Sequence, residues 1–107
     1  MDTHIDIQPS TSEVLAAAEM LKLISDPTRL RILWALLHGE HSVNELAEHI
    51  HAQPAGVSQH LAKLRIARLV KVRRQGNKMF YSTNNIHVHK LIERALSHAT
   101  LVTKGQK

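Results

Sequence analysis

Apolar residues recur at helical spacing over most of the chain. From Ser12 to Ile24, Val14, Ala17, Ala18 and Leu21 follow a three-and-four spacing behind Ser12, which can cap, and Glu13 in the first turn, so a first helix is predicted there. Asp26-Pro27-Thr28 supplies an N-cap and an N1 proline for a second helix, whose Leu30, Leu33, Trp34 and Leu37 form one stripe before Gly39 ends it. Ser42-Val43-Asn44-Glu45 fits the S-x-x-E capping box and opens a short helix to about Ile50. Pro54 again stands as an N1 residue, and Val57, Leu61 and Leu64 carry a fourth helix through about Ala67. The third and fourth helices, separated by His51-Ala52-Gln53, form a helix-turn-helix candidate.

After Arg68 the period changes. Leu69-Val70-Lys71-Val72-Arg73-Arg74 alternates, Gln75-Gly76-Asn77 is turn chemistry and Lys78-Met79-Phe80-Tyr81-Ser82 alternates again, which predicts a two-stranded hairpin, a wing. Asn84 or Asn85 can cap a last helix with Val88, Leu91, Ile92, Ala95 and Leu96 apolar, running to about Leu101. The expected fold is mainly α with a small β-hairpin wing, a winged helix-turn-helix in the order α-α-α-α-β-β-α. Residues 1–11 are expected as a flexible N-terminal segment, 12–102 as the DNA-binding and dimerisation domain, and 103–107 as a loose tail.

Size and composition narrow the class. A chain of 107 residues, 43% hydrophobic, suits one domain, and with only Trp34, Phe80 and Tyr81 as aromatics its core must be built from Leu, Ile, Val and Ala. There is no cysteine, which excludes disulfides and thiolate metal ligands. Neither a membrane-spanning run nor a signal h-region is visible, so a cytoplasmic protein is expected. No acid, base and nucleophile set can be nominated and no Gly-rich phosphate loop exists, which argues against an enzyme.

Charge changes the picture further. The formal net charge is +5, yet from His49 to Ile92 there is no Asp or Glu, while Lys63, Arg65, Arg68, Lys71, Arg73, Arg74, Lys78 and Lys90 all fall in that stretch. Such a block attracts a polyanion; the alternative is a solvated basic face. The second helix of a helix-turn-helix reads base edges near its N-terminus, here through Gln53, Ala55, Gly56, Ser58, Gln59 and His60. Ala55 and Gly56 permit close approach, Gln59 can bond adenine at two points, and Ser58 can bond a base or a phosphate. Lys63, Arg65, Arg73, Arg74, Gln75 and Lys78 are expected to hold phosphates or reach the minor groove from the wing. Ser58 and Gln59 are also readable as plain helix surface, and His60 as a packing residue. An RNA-binding winged domain is the neighbouring reading, without an aromatic stacking platform to favour it.

Leu23-Ile24-Ser25-Asp26-Pro27-Thr28-Arg29-Leu30-Arg31-Ile32-Leu33, Val43-Asn44-Glu45-Leu46-Ala47, Val57-Ser58-Gln59-His60-Leu61-Ala62-Lys63-Leu64, Leu69-Val70, Arg74-Gln75-Gly76-Asn77 and Phe80-Tyr81-Ser82 together resemble the ArsR/SmtB family of winged helix-turn-helix repressors. The resemblance implies a homodimer formed through the first and last helices, bound to an imperfectly palindromic operator in double-stranded DNA and released by an effector, often a metal ion. Two departures stand out. Arg68 occupies the place of the family's glycine between recognition helix and first strand, and Ser42, Val43 and Asn44 replace the family's cysteine pair.

For family members that sense zinc, nickel or cobalt, the resemblance implies a site on the C-terminal helices. Here it retains His87 and His98, with Asn85 in place of an Asp and Leu101 in place of the fourth ligand. Eleven residues of helix span about 16 Å, so the two histidines share a side but not an ion. Antiparallel pairing of two last helices about an axis between Ile92 and Glu93 would bring His87 to the partner's His98, with Leu91, Ala95 and Val88 along the seam. His89, His4 or water could complete the coordination of a Zn, Ni or Co ion. The alternative is the same repressor answering a non-metal small molecule or a partner. His38, His41, His49 and His51 read as surface residues.

Overall fold

A computed structural model describes residues 8–83 and 85–105. Expectations for His4, for the first seven residues of the N-terminal segment, for Asn84 as a cap and for the last two residues of the tail lie outside the described residues. The elements are α1 (Thr11–Ile24), α2 (Pro27–Leu36), β1 (His41–Ser42), α3 (Val43–Ile50), α4 (Pro54–Ile66), β2 (Lys71–Gln75), β3 (Lys78–Ser82) and α5 (Ile86–Lys104). The expected order is present with one addition. β1 pairs antiparallel with β3, His41 opposite Tyr81 and Ser42 opposite Phe80, so the wing is a three-stranded sheet of order β1-β3-β2. Two polar residues before a helix carry no alternating pattern, which is why β1 escapes a reading by periodicity.

Local chemistry sets most boundaries. Ser42 Oγ accepts the Glu45 N–H at 3.2 Å and Glu45 Oε1 accepts the Ser42 N–H at 2.8 Å, the reciprocal capping box that starts α3. Asp26 caps α2 through the Arg29 N–H, with Pro27 at N1, and Pro54 opens α4 in the same way. At α1 the cap is Ser10 and not Ser12: a capping box needs its glutamate three residues on, and Glu13 stands in that relation to Ser10. α5 begins behind Asn85 and continues through Lys104, so Thr103 and Lys104, expected in the tail, are helical.

Two left-handed residues end the helices of the reading motif. His51, at φ 56°, closes α3, and the Ala52 N–H reaches back to the Ala47 carbonyl at 2.9 Å. Arg68, at φ 62°, follows α4, and the Leu69 N–H reaches the Leu64 carbonyl at 2.9 Å. These are the bonds of a helix-ending left-handed turn. Arg68 therefore keeps the conformation for which glycine is the relaxed choice, at a backbone cost on the order of 1 kcal/mol.

The core gathers Val57, Leu61 and Leu64 of α4 against Ile32, Leu33 and Leu36 of α2, Leu46 of α3 and Ile92 of α5, all essentially inaccessible. α2 packs on α3, α4 and α5 together, so its buried face is broad and comprises Ile32, Leu33, Ala35 and Leu36. Trp34, expected in the apolar stripe, lies on the opposite side and is half exposed. Val88 packs inward with Ile92 and is thereby removed from the expected α5 seam.

α1 behaves differently. Only Ile24 is buried, Met20 and Leu23 lean on the core, and Val14, Leu15 and Leu21 remain exposed. The chain measures 54 × 40 × 21 Å with a radius of gyration of 16.1 Å, against about 13 Å for a compact domain of this length. Ser42→Ala is expected to lower unfolding free energy by about 1 kcal/mol, read as a lower midpoint in thermal or urea denaturation, because it strips the cap from α3.

Candidate nucleic-acid interface

Seating one face of α4 in the core presents the opposite face outward. Val57, Leu61 and Leu64 are buried, and Ala55, Ser58, Gln59, Lys63 and Arg65 are exposed between them. Gln53 occupies the N-cap position without spending its side chain on a cap bond, and its amide is exposed. Gly56 is partly covered, and a Cβ built there would meet nothing within 4 Å. Internal packing does not require a glycine at this position, which leaves close approach of an outside surface as its use.

His60 stands apart from its neighbours. It is half-buried, and its Nδ1 lies 3.1 Å from Nη1 of Arg29 on α2, a contact between residues far apart in the sequence. The imidazole is thus neither a free reading group nor an apolar packing residue; α2 holds it at one edge.

On the wing, Gly76 adopts φ 62° at the tip, where a left-handed residue suits a tight hairpin, and Arg74, Gln75 and Lys78 are exposed around it. Arg73 is placed otherwise than the basic pattern implies. Its Nε and Nη2 donate to the two carboxylate oxygens of Glu40 at 3.0 and 2.8 Å, Nη1 donates to Gln75 Oε1 at 2.9 Å, and the guanidinium lies 5.1 Å from the Phe80 ring centre. The Arg73 side chain beside Glu40 holds that carboxyl below the ordinary glutamate value, and Glu40 in turn raises Arg73. An acid from before the acid-free block therefore folds back onto it, and Arg73 is tied to both Glu40 and Gln75. Nothing in the local sequence pairs residues 33 apart.

The expected metal-ligating residues do not come together within one chain. His87 and His98 are both exposed on α5. Asn85 Oδ1 accepts the His87 N–H at 2.8 Å as the helix cap, and His89 Nε2 lies 3.1 Å from the Thr83 carbonyl. Among the described residues no three His, Cys, Asp or Glu side chains are grouped closely enough to hold an ion. His38 and His41 each place Nδ1 against a nearby carbonyl, of Trp34 and Gly39, and the rings of His41 and His49 lie 5.2 Å apart. Among the described residues no helix is long and apolar enough to cross a membrane.

The model of the family described as "Bacterial regulatory protein, arsR family" matches residues 26–72, from the cap of α2 into β2. The chain is 46% identical over 87 residues to the HTH-type transcriptional regulator KmtR of Mycobacterium tuberculosis, covering 81% of this chain and 67% of the relative. It is 36% identical over 95 residues to the transcriptional repressor SmtB homolog of Synechocystis, covering 86% and 72%. Its fold superposes on the crystal structure of NolR from Sinorhizobium fredii with a TM-score of 0.75 at 35% identity, over 87% of this chain and 96% of that one.

Glu40→Gln is expected to act in two measurable ways. A carboxyl whose pKa is lowered on folding contributes stability above its unfolded value, near 4.5, and loses that contribution as the pH falls through the folded value. The variant should accordingly show a flatter stability curve below pH 4.5, followed by urea denaturation. Freeing Arg73 should also steepen the salt dependence of binding to any duplex DNA.

Proposed function

The chain belongs to the arsR family of bacterial regulatory proteins, and from that premise we propose that it is a homodimeric, sequence-specific transcriptional repressor of winged helix-turn-helix type that leaves its operator when an effector binds. The observation that carries this reading is the outward face of α4: Gln53, Ser58 and Gln59 are exposed on a helix whose other face is locked in the core, within a stretch free of carboxylates. Amides and a hydroxyl read bases. Lys63 and Arg65 on α4, with Arg74 and Lys78 on the wing, supply phosphate contacts or minor-groove reach. Arg73 and Gln75 serve the same surface indirectly, as braces of the wing against Glu40.

Dimerisation completes the geometry. Val14, Leu15 and Leu21 on α1, with Leu101 and Val102 near the end of α5, are large apolar side chains left exposed on two helices that the chain itself only partly covers. A two-fold pairing of these helices buries them and sets two copies of α4 into successive major grooves, about 34 to 36 Å apart, on an imperfect palindrome. The relatives named as a regulator and a repressor support this role, and the family likeness supports an intracellular place of action.

The effector reading rests on the same pairing. Among the described residues a single chain groups no metal site, so His87 would share a Zn, Ni or Co ion with His98 of a second copy, aided by His89. Two imidazoles fall short of the four donors of a closed zinc site, and Asn85 already spends its oxygen on the cap. A second reading has its own observation: a mostly apolar groove of about 540 Å³ runs between α2 and α5, lined by Leu30, Trp34, Leu96 and Ala99, of a size that suits a small organic effector.

Gln59→Ala should weaken binding to a duplex selected by the protein from a random-sequence library by about 1–3 kcal/mol, with little change on a scrambled duplex, both read by fluorescence anisotropy. Equal loss on both would remove base reading from Gln59. Titration of zinc, nickel and cobalt into the protein–duplex complex should release the DNA with at least one ion, and His98→Ala should abolish that release. Indifference to all three ions would transfer the effector role to the groove.

A further inference from the structure

The Asp-Pro-Thr-Arg start of α2 is accounted for only in part by capping, because the Arg29 side chain does something the cap does not require. Its Nε donates to the Leu23 carbonyl at 2.6 Å, one of the terminal carbonyls of α1 that the helix leaves without an internal partner. Its Nη1 reaches His60 on α4 at 3.1 Å. One guanidinium thus joins the C-terminal end of α1, the start of α2 and the outward-facing helix.

The contact with His60 has a chemical consequence. A guanidinium carries donors only, so the hydrogen bond exists only when His60 Nδ1 holds a lone pair. The proton of the neutral ring is then on Nε2. Asp26 accepts the Arg29 backbone N–H at 3.0 Å, and the charges of Arg29 and His60 are among the influences that lower its carboxyl below the ordinary aspartate value.

We infer that Arg29 is a positioning residue for DNA recognition: it ties α1 to α4 and holds His60 as the Nε2–H tautomer, so that this place on α4 offers a donor and selects an acceptor on a base edge. Guanine N7 and O6, adenine N7 and thymine O4 are such acceptors; the exocyclic amines of adenine and cytosine are not, so cytosine is the base this donor rejects. Since α1 leaves Val14, Leu15 and Leu21 exposed among the described residues, the same guanidinium connects the dimerisation reading to the reading head. Lysine cannot replace it. A single ammonium lacks the planar fork that serves two fixed acceptors at once.

The inference rests on the DNA-binding reading, and its test separates the two. Full-length wild type, Arg29→Gln, Arg29→Lys, His60→Gln and His60→Ala are compared on a duplex that the wild type selects from a random-sequence library and on its scrambled counterpart. Histidine side-chain ¹⁵N spectra are recorded in parallel, with the His60 signals assigned by their loss in His60→Ala.

The wild type should show His60 as the Nε2–H tautomer, and Arg29→Gln should redistribute it. Both Arg29 variants should lose about tenfold in preference for the selected duplex while scrambled-duplex affinity stays within about twofold. His60→Gln, which can accept from Arg29 and donate outward, should retain more preference than His60→Ala. Unchanged preference in a folded Arg29→Lys protein overturns the inference, and so does an Nδ1–H tautomer in the wild type, which can be read whether or not Arg29→Gln folds. Failure of the wild type to enrich any duplex removes the DNA reading itself, and this inference with it.

Discussion

The burial of one apolar stripe on α4 governs the rest of the molecule. Val57, Leu61 and Leu64 enter the core completely, where they meet α2, α3 and α5 residues that are equally inaccessible. Removing a large aliphatic side chain from such a site costs about 2–5 kcal/mol, so the rotation of α4 about its own axis is strongly determined. Ser58, Gln59 and the N-terminal turn of the helix are outward because their neighbours cannot be. A reading surface built this way gains precision from the core behind it, and Gly56 adds room for approach without a packing role of its own.

Charge is organised by subtraction. The stretch from His49 to Ile92 contains no carboxylate, yet the structure returns one to it: Glu40 clasps Arg73 with both oxygens. That clasp is half exposed, and pairs of this kind contribute little to stability. Its effect is geometric. It fixes the middle of β2 beside the segment that leads into β1 and leaves Lys71, Arg74 and Lys78 as exposed cations of the wing among the described residues.

Among the described residues, one side of the chain leaves apolar surface uncovered. α1 buries little of its apolar surface, the molecule is more extended than its length warrants, and large aliphatic side chains on α1 and α5 face water. The two-fold pairing proposed above would account for all three features together. His87 and His98 belong to the same exposed region: eleven residues of one helix hold them about 16 Å apart, so a shared ion calls for a second helix.

Much of the fold was legible because it is specified within a few residues. The box at Ser42 and Glu45, the Asp26 cap, the N1 prolines, the Gln75-Gly76-Asn77 turn and the apolar periodicity of α4 all act between residues close along the chain. Ser12 is the wrong cap for α1, and Glu13, three residues after Ser10, carries the signal for the right one. A single apolar stripe places Trp34 inward, but α2 packs on several neighbours and buries a broader, different face. The strand β1 left no pattern, being too short to alternate.

The outward face of α4 was legible for the same local reason, whereas the couplings that tune it were not. Sequence by itself determined the five helices and the hairpin, their order, the basic block and the face of α4 left outward, since periodicity and capping are properties of neighbours along the chain. Only the tertiary structure decided that Arg29 meets His60, that Glu40 occupies Arg73 and that Val88 turns inward while Trp34 turns out. Those contacts join residues brought together by closure of the core, and no local pattern encodes which distant side chain will complete a hydrogen bond.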